Sequence, residues 1–432
     1  MRVGADSGGT FTDIVDPSGR ILKVPSTPED PGEAVRAGLA QLGIDRPGFL
    51  SHGTTVATNA LLEGTVARVA LVTNSGFADV IEIARQDRPS LYDPWVDRPP
   101  PLVSRTDRIE VEGRIGPDGH EITPVVGVEG IEVDPAVDAV AVVLLHSDLN
   151  PAHEELIATG LRRRGWDVTA SHEVSPEFRE YERTVTTVLN AALRPVCSSY
   201  LKGLRAMAEE VAVMTSGGAL VEADRASQVP ASLLLSGPAA GARAAAVVAA
   251  ACGYPDALSF DMGGTSTDVC LISGGAPKMA AQQVVAGYPV RLPALDIHTV
   301  GAGGGSIAGL DPGGALVVGP RSAGAVPGPV CYGRGGTVPT VTDANLLTGR
   351  IPLGSAFSGL GTLDERAAAD AMRAAGVDPG GVLRVVNTTM VQALRRVSVA
   401  RGSIRRRWRW WPSAGRDRCT AVRWPTNWVW PR

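Results

Sequence analysis

The sequence predicts an α/β protein built as two lobes, and three observations carry that reading. Short apolar strands alternate with helical stretches along most of the chain, the pattern of a sheet covered by helices. One ten-residue pattern occurs twice, as Asp6-Ser7-Gly8-Gly9-Thr10-Phe11-Thr12-Asp13-Ile14-Val15 and as Asp261-Met262-Gly263-Gly264-Thr265-Ser266-Thr267-Asp268-Val269-Cys270, each copy after a short apolar strand. A length of 432 residues, 44% of them hydrophobic and 20% charged, suffices for more than one full core.

The elements follow in order. The chain opens with a strand at 3–5, a polar turn at 6–9 and a strand at 10–15, and Asp16-Pro17-Ser18-Gly19 turns it back into a third strand at 21–24. A helix is expected over 31–42, a compact apolar strand over 67–73 and a helix from Asn74 to Arg85. Residues 90–101 are proline-rich and read as a surface loop. A buried strand at 137–145 precedes a helix at 151–165 with basic Arg162–Arg164 at its end. A long helix over 176–207 is expected to carry the chain between lobes. A hairpin at 211–221 and an alanine-rich helix from Ser236 to Cys252 lead to the second motif, with strands at 258–260 and 265–272. Residues 296–345 show little regular pattern, and helices close the body at 365–375 and 383–401.

Bulk features exclude several classes. The net charge of −4 carries little information about partners, and the alanine-rich run is too short for a membrane span and contains Arg243. The five cysteines lack metal-ligand spacing, and no leader pattern opens the chain, so a cytoplasmic location is expected, without nucleic-acid or membrane partners. No Gly-x-Ser-x-Gly, His-Glu-x-x-His or paired-cysteine motif supports serine-hydrolase or zinc chemistry.

Residues 403–432 stand apart. They hold six of the eight tryptophans, eight arginines and one acidic residue, with no period that fits a core. A basic aromatic tail is one reading; a frame-shifted translation is the other. In the next frame, GC-rich codon choices from Trp408 onward can yield Ala-Val-Val-Ala-Val-Gly-Gly-Ala-Gly-Pro-Val-His, a buried strand and a glycine turn. The expected division is therefore 1–175, 176–402 and an aberrant tail at 403–432.

The repeated motif carries the chemistry. Glycines let backbone N–H groups crowd around phosphate oxygens, and threonine hydroxyls add donors. An aspartate at a strand end can hold Mg²⁺ or its waters beside the phosphates. The expected phosphate holders are Gly8, Gly9, Thr10 and Thr12, with Gly263, Gly264, Thr265 and Thr267; Asp6, Asp13, Asp261 and Asp268 organise Mg²⁺ and water, with Asp6 and Asp261 nearest the metal. Neither copy is a Walker A loop, since Gly-Lys-Ser/Thr is absent. Asp296 and His298, ahead of the Gly301–Gly305 run, form a further candidate in which His298 is a base or ligand, or else a structural histidine; Gly303 and Gly304 are placed against the nucleotide. His52, Thr54, Thr55 and Asn59 line a substrate site or cap a helix. Asp343 with Asn345, and Arg85 with Asp87 and Arg88, are similarly open between a site and a structural role.

The paired hairpins resemble the phosphate turns of the actin/Hsp70/sugar-kinase superfamily. The fuller text, including residues 51–60, Gly76-Phe77, Arg85-Gln86, Ser236-Gly237-Pro238-Ala239-Ala240-Gly241, residues 296–306 and Gly319-Pro320-Arg321-Ser322-Ala323-Gly324, is similar to the hydantoinase/oxoprolinase family from residue 1 to about 402. That resemblance implies two ribonuclease-H-like lobes around an ATP cleft, with ATP and Mg²⁺ as cofactors. It implies ATP-dependent hydrolysis of a cyclic amide (a hydantoin, N-methylhydantoin or 5-oxoproline) through a phosphorylated intermediate, with a hydantoinase B-type partner subunit. Ketone carboxylation is the alternative within the family; a small-molecule kinase, a non-enzymatic ATPase and an inactive truncated fragment stand outside it. The family's Gly-Gly-Ala-Gly-Pro turn is missing after the helix ending near Arg401, and the shifted frame supplies it.

Overall fold

The structure, a computed structural model, describes residues 1–8, 11–27, 30–97, 100–324, 326–352, 354, 356–357, 361–399 and 409–412. Its contacts divide the chain into one unit of Met1–Ala239 with Met279–Ala294, and a second of Ala240–Lys278 with Leu295–Arg432.

The first unit opens with β1 (Arg2–Ser7), β2 (Phe11–Val15) and β3 (Ile21–Pro25), an antiparallel meander. Helix α1 (Pro31–Gln41) starts where Asp30 accepts from the Gly32 amide at 3.0 Å and Pro31 fills the first helical position, where no donor is needed. Strand β4 (Phe49–Thr54) then lies parallel to β1 and feeds α2 (Val56–Glu63). Further along come β5 (Val69–Asn74), β6 (Arg108–Val111), β7 (Ala139–Val143), α3 (Ala152–Arg163), β8 (Val168–Ala170), α4 (Glu180–Arg205), β9 (Glu210–Met214) and β10 (Leu220–Glu222). The main sheet runs β10-β9-β4-β1-β2-β3, and a second, all-parallel sheet runs β8-β7-β5-β6. Strands β5 and β7 are buried at every residue, as the wholly apolar text of β7 and the apolar start of β5, Val69–Val72, require of a parallel sheet covered on both faces.

Helix α4 does not bridge the units. Val188, Leu189 and Leu193 are fully buried in the first unit's core, and Asn190 donates to the Gln228 carbonyl at 3.0 Å. The two compact units part after Ala239, inside α5 (Ser236–Ala251).

The second unit repeats the opening plan. Antiparallel β11 (Ala257–Met262) and β12 (Thr267–Ser273) are joined on the far side of β12 by β13 (Ile297–Val300). Residues 296–345 are more ordered than their glycine content suggests, holding β13, the antiparallel pair β14 (Ser306–Leu310) and β15 (Leu316–Ser322), and the start of α6 (Val341–Leu347). The expected helix from Asn74 is reduced to a turn and Val80–Ile83. Helices α7 (Glu365–Ala374) and α8 (Pro379–Val397) follow, α8 starting at an Asp378-Pro379 cap like that of α1. Strand β16 (Arg409–Pro412) pairs parallel with β11. Strand order β3-β2-β1-β4 in the first unit thus recurs as β13-β12-β11-β16 in the second.

Candidate active site

The two motifs fold into hairpins of the same register. In the first, Asp6 stands opposite Asp13 and Ser7 opposite Thr12; in the second, Asp261 stands opposite Asp268 and Met262 opposite Thr267. The turns close alike, the Gly8 amide donating to the Phe11 carbonyl at 3.0 Å and the Gly263 amide to the Ser266 carbonyl at 2.9 Å. Gly264 and Thr265 are exposed at the second tip. Gly9 and Thr10 lie outside the described residues.

Cross-strand partners share a face of a sheet. Asp6, Asp13 and Lys23 therefore form one row, with Lys23 Nζ 2.5 Å from Asp13 Oδ2. The Asp6 carboxylate lies over the backbone of β4, where a Cβ on Gly53 would come within 2.4 Å of Asp6 Oδ1. In the second hairpin the row is Asp261, Asp268 and Thr299, and Thr299 Oγ1 donates to Asp268 Oδ1 at 2.5 Å. Burial, reinforced by the charge of Asp261, lifts the Asp268 carboxyl to about 6, against the pull of the Thr299 hydrogen bond. The duplicated aspartates are thus chemically unequal: Asp13 is met by a cation, Asp268 by a hydroxyl.

Several expected ligand groups are committed to the fold. Thr12 and Thr267 are completely buried; Thr12 Oγ1 shares hydrogen bonds with Ser7 and Ser26, and Thr267 Oγ1 donates to the Ala302 carbonyl at 2.6 Å. Gly303 and Gly304 are also buried, and their amides are spent internally, on Ser306 Oγ at 2.9 Å and on the Gly263 carbonyl at 3.0 Å. With the Gly305 amide on the Gly264 carbonyl at 2.7 Å, the glycine run clamps the second turn from behind. A Cβ on Gly303 would sit 2.6 Å from the Gly263 carbonyl oxygen, so only glycine permits this backbone-to-backbone contact.

His298 does not join the aspartates. It stands opposite Val269, on the other face from the Asp261–Asp268–Thr299 row, and burial together with Arg396 lowers its pKa. Asp296 precedes that strand and its amide donates to the Lys278 carbonyl at 2.8 Å. His52 is buried on the core face opposite Ala5, with Nε2 2.6 Å from Tyr200 Oη, and desolvation depresses it to about 4. Thr54 is buried, while Thr55, at the start of α2, donates through Oγ1 to the Ser7 carbonyl and accepts from the Asn59 side chain without capping a helix amide. Asp343 accepts from the amides of Val330, Cys331 and Thr340 and from the Thr340 hydroxyl, a structural cap, and Asn345 is buried in the same helix. Arg85 forks onto the Glu182 carboxylate, and both Asp87 and Arg88 are exposed.

Among the described residues no group of three or more His, Cys, Asp or Glu side chains could hold a metal alone. Each hairpin instead offers a carboxylate pair, which suits Mg²⁺, an ion that keeps waters and takes one or two carboxylates beside phosphate oxygens. Sequence reasoning missed Lys23, Gly53 and Thr299; only the strand register brings them to the aspartates. No helix among the described residues is long and apolar enough to cross a membrane.

Comparison with known proteins gives a consistent answer. The family profile described as Hydantoinase/oxoprolinase N-terminal region matches residues 2–165, and that described as Hydantoinase/oxoprolinase matches residues 183–416. Caprolactamase subunit alpha of Pseudomonas jessenii is 38% identical over 93% of this chain and 63% of its own length. The crystal structure of the ATP-dependent caprolactamase from that organism superposes with a TM-score of 0.83 at 36% identity, covering 96% of this chain and 66% of the other. The 5-oxoprolinase 1 of Arabidopsis thaliana is 35% identical over 81% of this chain and 31% of its own length. The nucleotide-free structure of an acetone carboxylase gives a TM-score of 0.73 at 25% identity, over 93% of this chain and 63% of that one. The chain spans less than two thirds of the length of the caprolactamase subunit. With an α/β fold, a duplicated Asp-x-Gly-Gly-Thr hairpin and profile matches along most of its length, the chain belongs to the hydantoinase/oxoprolinase family.

Proposed function

We propose that this chain is the ATP-binding component of a cyclic amidohydrolase, and that each hairpin turn is a phosphate-binding element. The observation that carries the reading is the identical placement of two opposed aspartates behind two glycine turns, Asp6 with Asp13 and Asp261 with Asp268. The matching strand orders support reading each unit as a ribonuclease-H-like lobe. Gly8, Gly9, Thr10, Gly263, Gly264 and Thr265 hold phosphate oxygens, while Thr12 and Thr267 act as struts. Asp6 and Asp261 hold Mg²⁺, which when bound neutralises charge on the phosphates. Asp268, raised to about 6 in the ligand-free chain by burial and by Asp261, would be held ionised by a cation beside Asp261 and so help to order its waters.

An amide carbon resists water because its leaving group is poor. Transfer of the γ-phosphoryl group to the amide oxygen forms an O–P bond as the bond to ADP breaks; one water then adds to the activated carbon and the ring C–N bond opens to an amine and an acyl phosphate, which a second water hydrolyses to carboxylate and phosphate. The caprolactamase and 5-oxoprolinase relatives favour hydrolysis, and a hydantoinase B-type partner would complete it. The likeness to acetone carboxylase supports a second reading, ATP-dependent carboxylation of a ketone.

The test is ATP turnover by this chain with its partner subunit, offered ε-caprolactam, hydantoin, 5-oxoproline or acetone with bicarbonate. Hydrolysis predicts ring-opened product in step with ADP for one of the lactams. Carboxylation predicts ADP only with acetone and bicarbonate. ADP formation indifferent to every substrate, with no product, sinks both.

A further inference from the structure

The first glycine turn is backed by hydroxyl groups that its phosphate chemistry does not use. Ser7 stands opposite Thr12 on one side and Thr54 on the other, so their hydroxyls share the face of the main sheet turned away from Asp6. Each of these side chains is buried, and a buried hydroxyl costs free energy unless it finds a partner.

The partners form a line. At its outer end Ser26 Oγ donates to the Gly8 carbonyl at 2.7 Å and shares a hydrogen bond of 3.1 Å with Thr12 Oγ1, which lies 3.4 Å from Ser7 Oγ. At its inner end Tyr200, on α4, brings its hydroxyl within hydrogen-bonding reach of Ser7 and Thr54. The same hydroxyl is 2.6 Å from His52 Nε2, and the two rings pack tilted with centroids 5.7 Å apart. Burial pushes the Tyr200 hydroxyl up to about 12, so it stays a phenol with a proton to give, beside a neutral His52 imidazole. The second hairpin is built differently. Met262 takes the register position of Ser7, and Thr267 is spent on the Ala302 carbonyl. Glycine backbone clamps that turn, whereas side chains hold the first, and a line of side chains can be cut one atom at a time.

We propose that Tyr200 is a positioning residue for the first glycine turn, fixing Gly8 through Ser7, Thr12 and Ser26. Its consequence for nucleotide rests on reading that turn as a phosphate-binding element. Tyr200→Phe deletes one oxygen and keeps the ring. Ile157→Val, a mild loss in the separate core around the parallel sheet, is the control for general destabilisation. Hydrogen exchange of the full chain without nucleotide, followed by mass spectrometry, should quicken over residues 6–13 in Tyr200→Phe and stay unchanged over 261–268. Ile157→Val should alter neither segment. In calorimetric titration with Mg-ATP, Tyr200→Phe and Ser26→Ala should each bind about three- to tenfold more weakly, the worth of one hydrogen bond, and Ile157→Val should bind as the parent does. The double variant Tyr200→Phe/Ser26→Ala should lose less than the product of the single losses, because both cut one line. Unchanged exchange over 6–13 in Tyr200→Phe, the same quickening in Ile157→Val, or single losses that simply multiply overturns the proposal. A parent chain that does not bind Mg-ATP strikes the nucleotide reading instead, and the exchange measurement still decides whether Tyr200 holds the turn.

Discussion

At the residue scale, the two hairpins share a pattern but not an electrostatic environment, Asp13 meeting Lys23 and Asp268 meeting Thr299. Asp268 rises from 3.8 to about 6 because burial and Asp261 both oppose its ionisation. A carboxyl raised in the fold costs nothing while protonated, begins to cost as pH climbs past the unfolded value, and costs most once pH exceeds the folded one. The window is therefore pH 3.8 to about 6, and above it the penalty is at most about 3 kcal/mol. Asp268→Asn should raise the melting temperature of the ligand-free chain at pH 7.5, with the gain fading to nothing near pH 4. It should also weaken stabilisation by Mg-ATP, since a bound cation would favour the ionised carboxylate that asparagine lacks. A flat pH profile in a differential-scanning series would refute the assignment. The aspartates were legible in the sequence because the motif repeats. Thr299, which modulates Asp268, was not, because it reaches it only through the pairing of β12 with β13. The sheet faces that His52 and His298 take were not legible either, because a lone histidine in polar text carries no sign of them.

At the element scale, the glycine run behind the second turn acts as a brace. Its amides hold the carbonyls of Gly263 and Gly264, leaving the tip of that turn exposed. Gly303→Ala would thrust a methyl group to 2.6 Å from the Gly263 oxygen and 2.7 Å from the Gly264 carbonyl carbon, where only backbone can give way. It should destabilise the chain by about 1–3 kcal/mol and erase the Mg-ATP thermal shift. Gly309→Ala, in open space on β14, should leave that shift intact. If Gly303→Ala melts and binds like the parent, the brace is not what shapes the turn. Elements with strong period, such as α1, α4, β5 and β7, were legible from text alone. Strand β4 was not: Ser51-His52-Gly53-Thr54 lacks apolar alternation, because its buried face carries a histidine and its other face must yield to the Asp6 carboxylate.

At the scale of the whole molecule, the repeated strand order makes a demand on the far end of the chain. In the first unit β1 has a parallel neighbour, β4, and in the second β11 has β16, with Ala257 opposite Arg409 and Phe260 opposite Pro412. Strands of a sheet covered by helices favour apolar residues, though β16 ends its sheet among the described residues, an edge where proline is tolerated. Arg-Trp-Trp-Pro opens on a charge, whereas the neighbouring reading frame places Val-Val-Ala-Val over the same four positions and Gly-Gly-Ala-Gly-Pro directly after. The rest of 403–432 lies outside the described residues, so the argument stands on these four alone. A chain carrying the shifted-frame text over 403–432 should melt about 5 °C or more above the present one, as burial of even two or three aliphatic side chains implies. Its response to Mg-ATP should grow as well, because β11 carries Asp261 and a better neighbour fixes that strand. Identical melting curves for the two chains, or a coding sequence in which no single insertion or deletion near codon 402 opens the second frame, would remove the idea and leave β16 as a strand with an arginine–tryptophan text that its position does not explain.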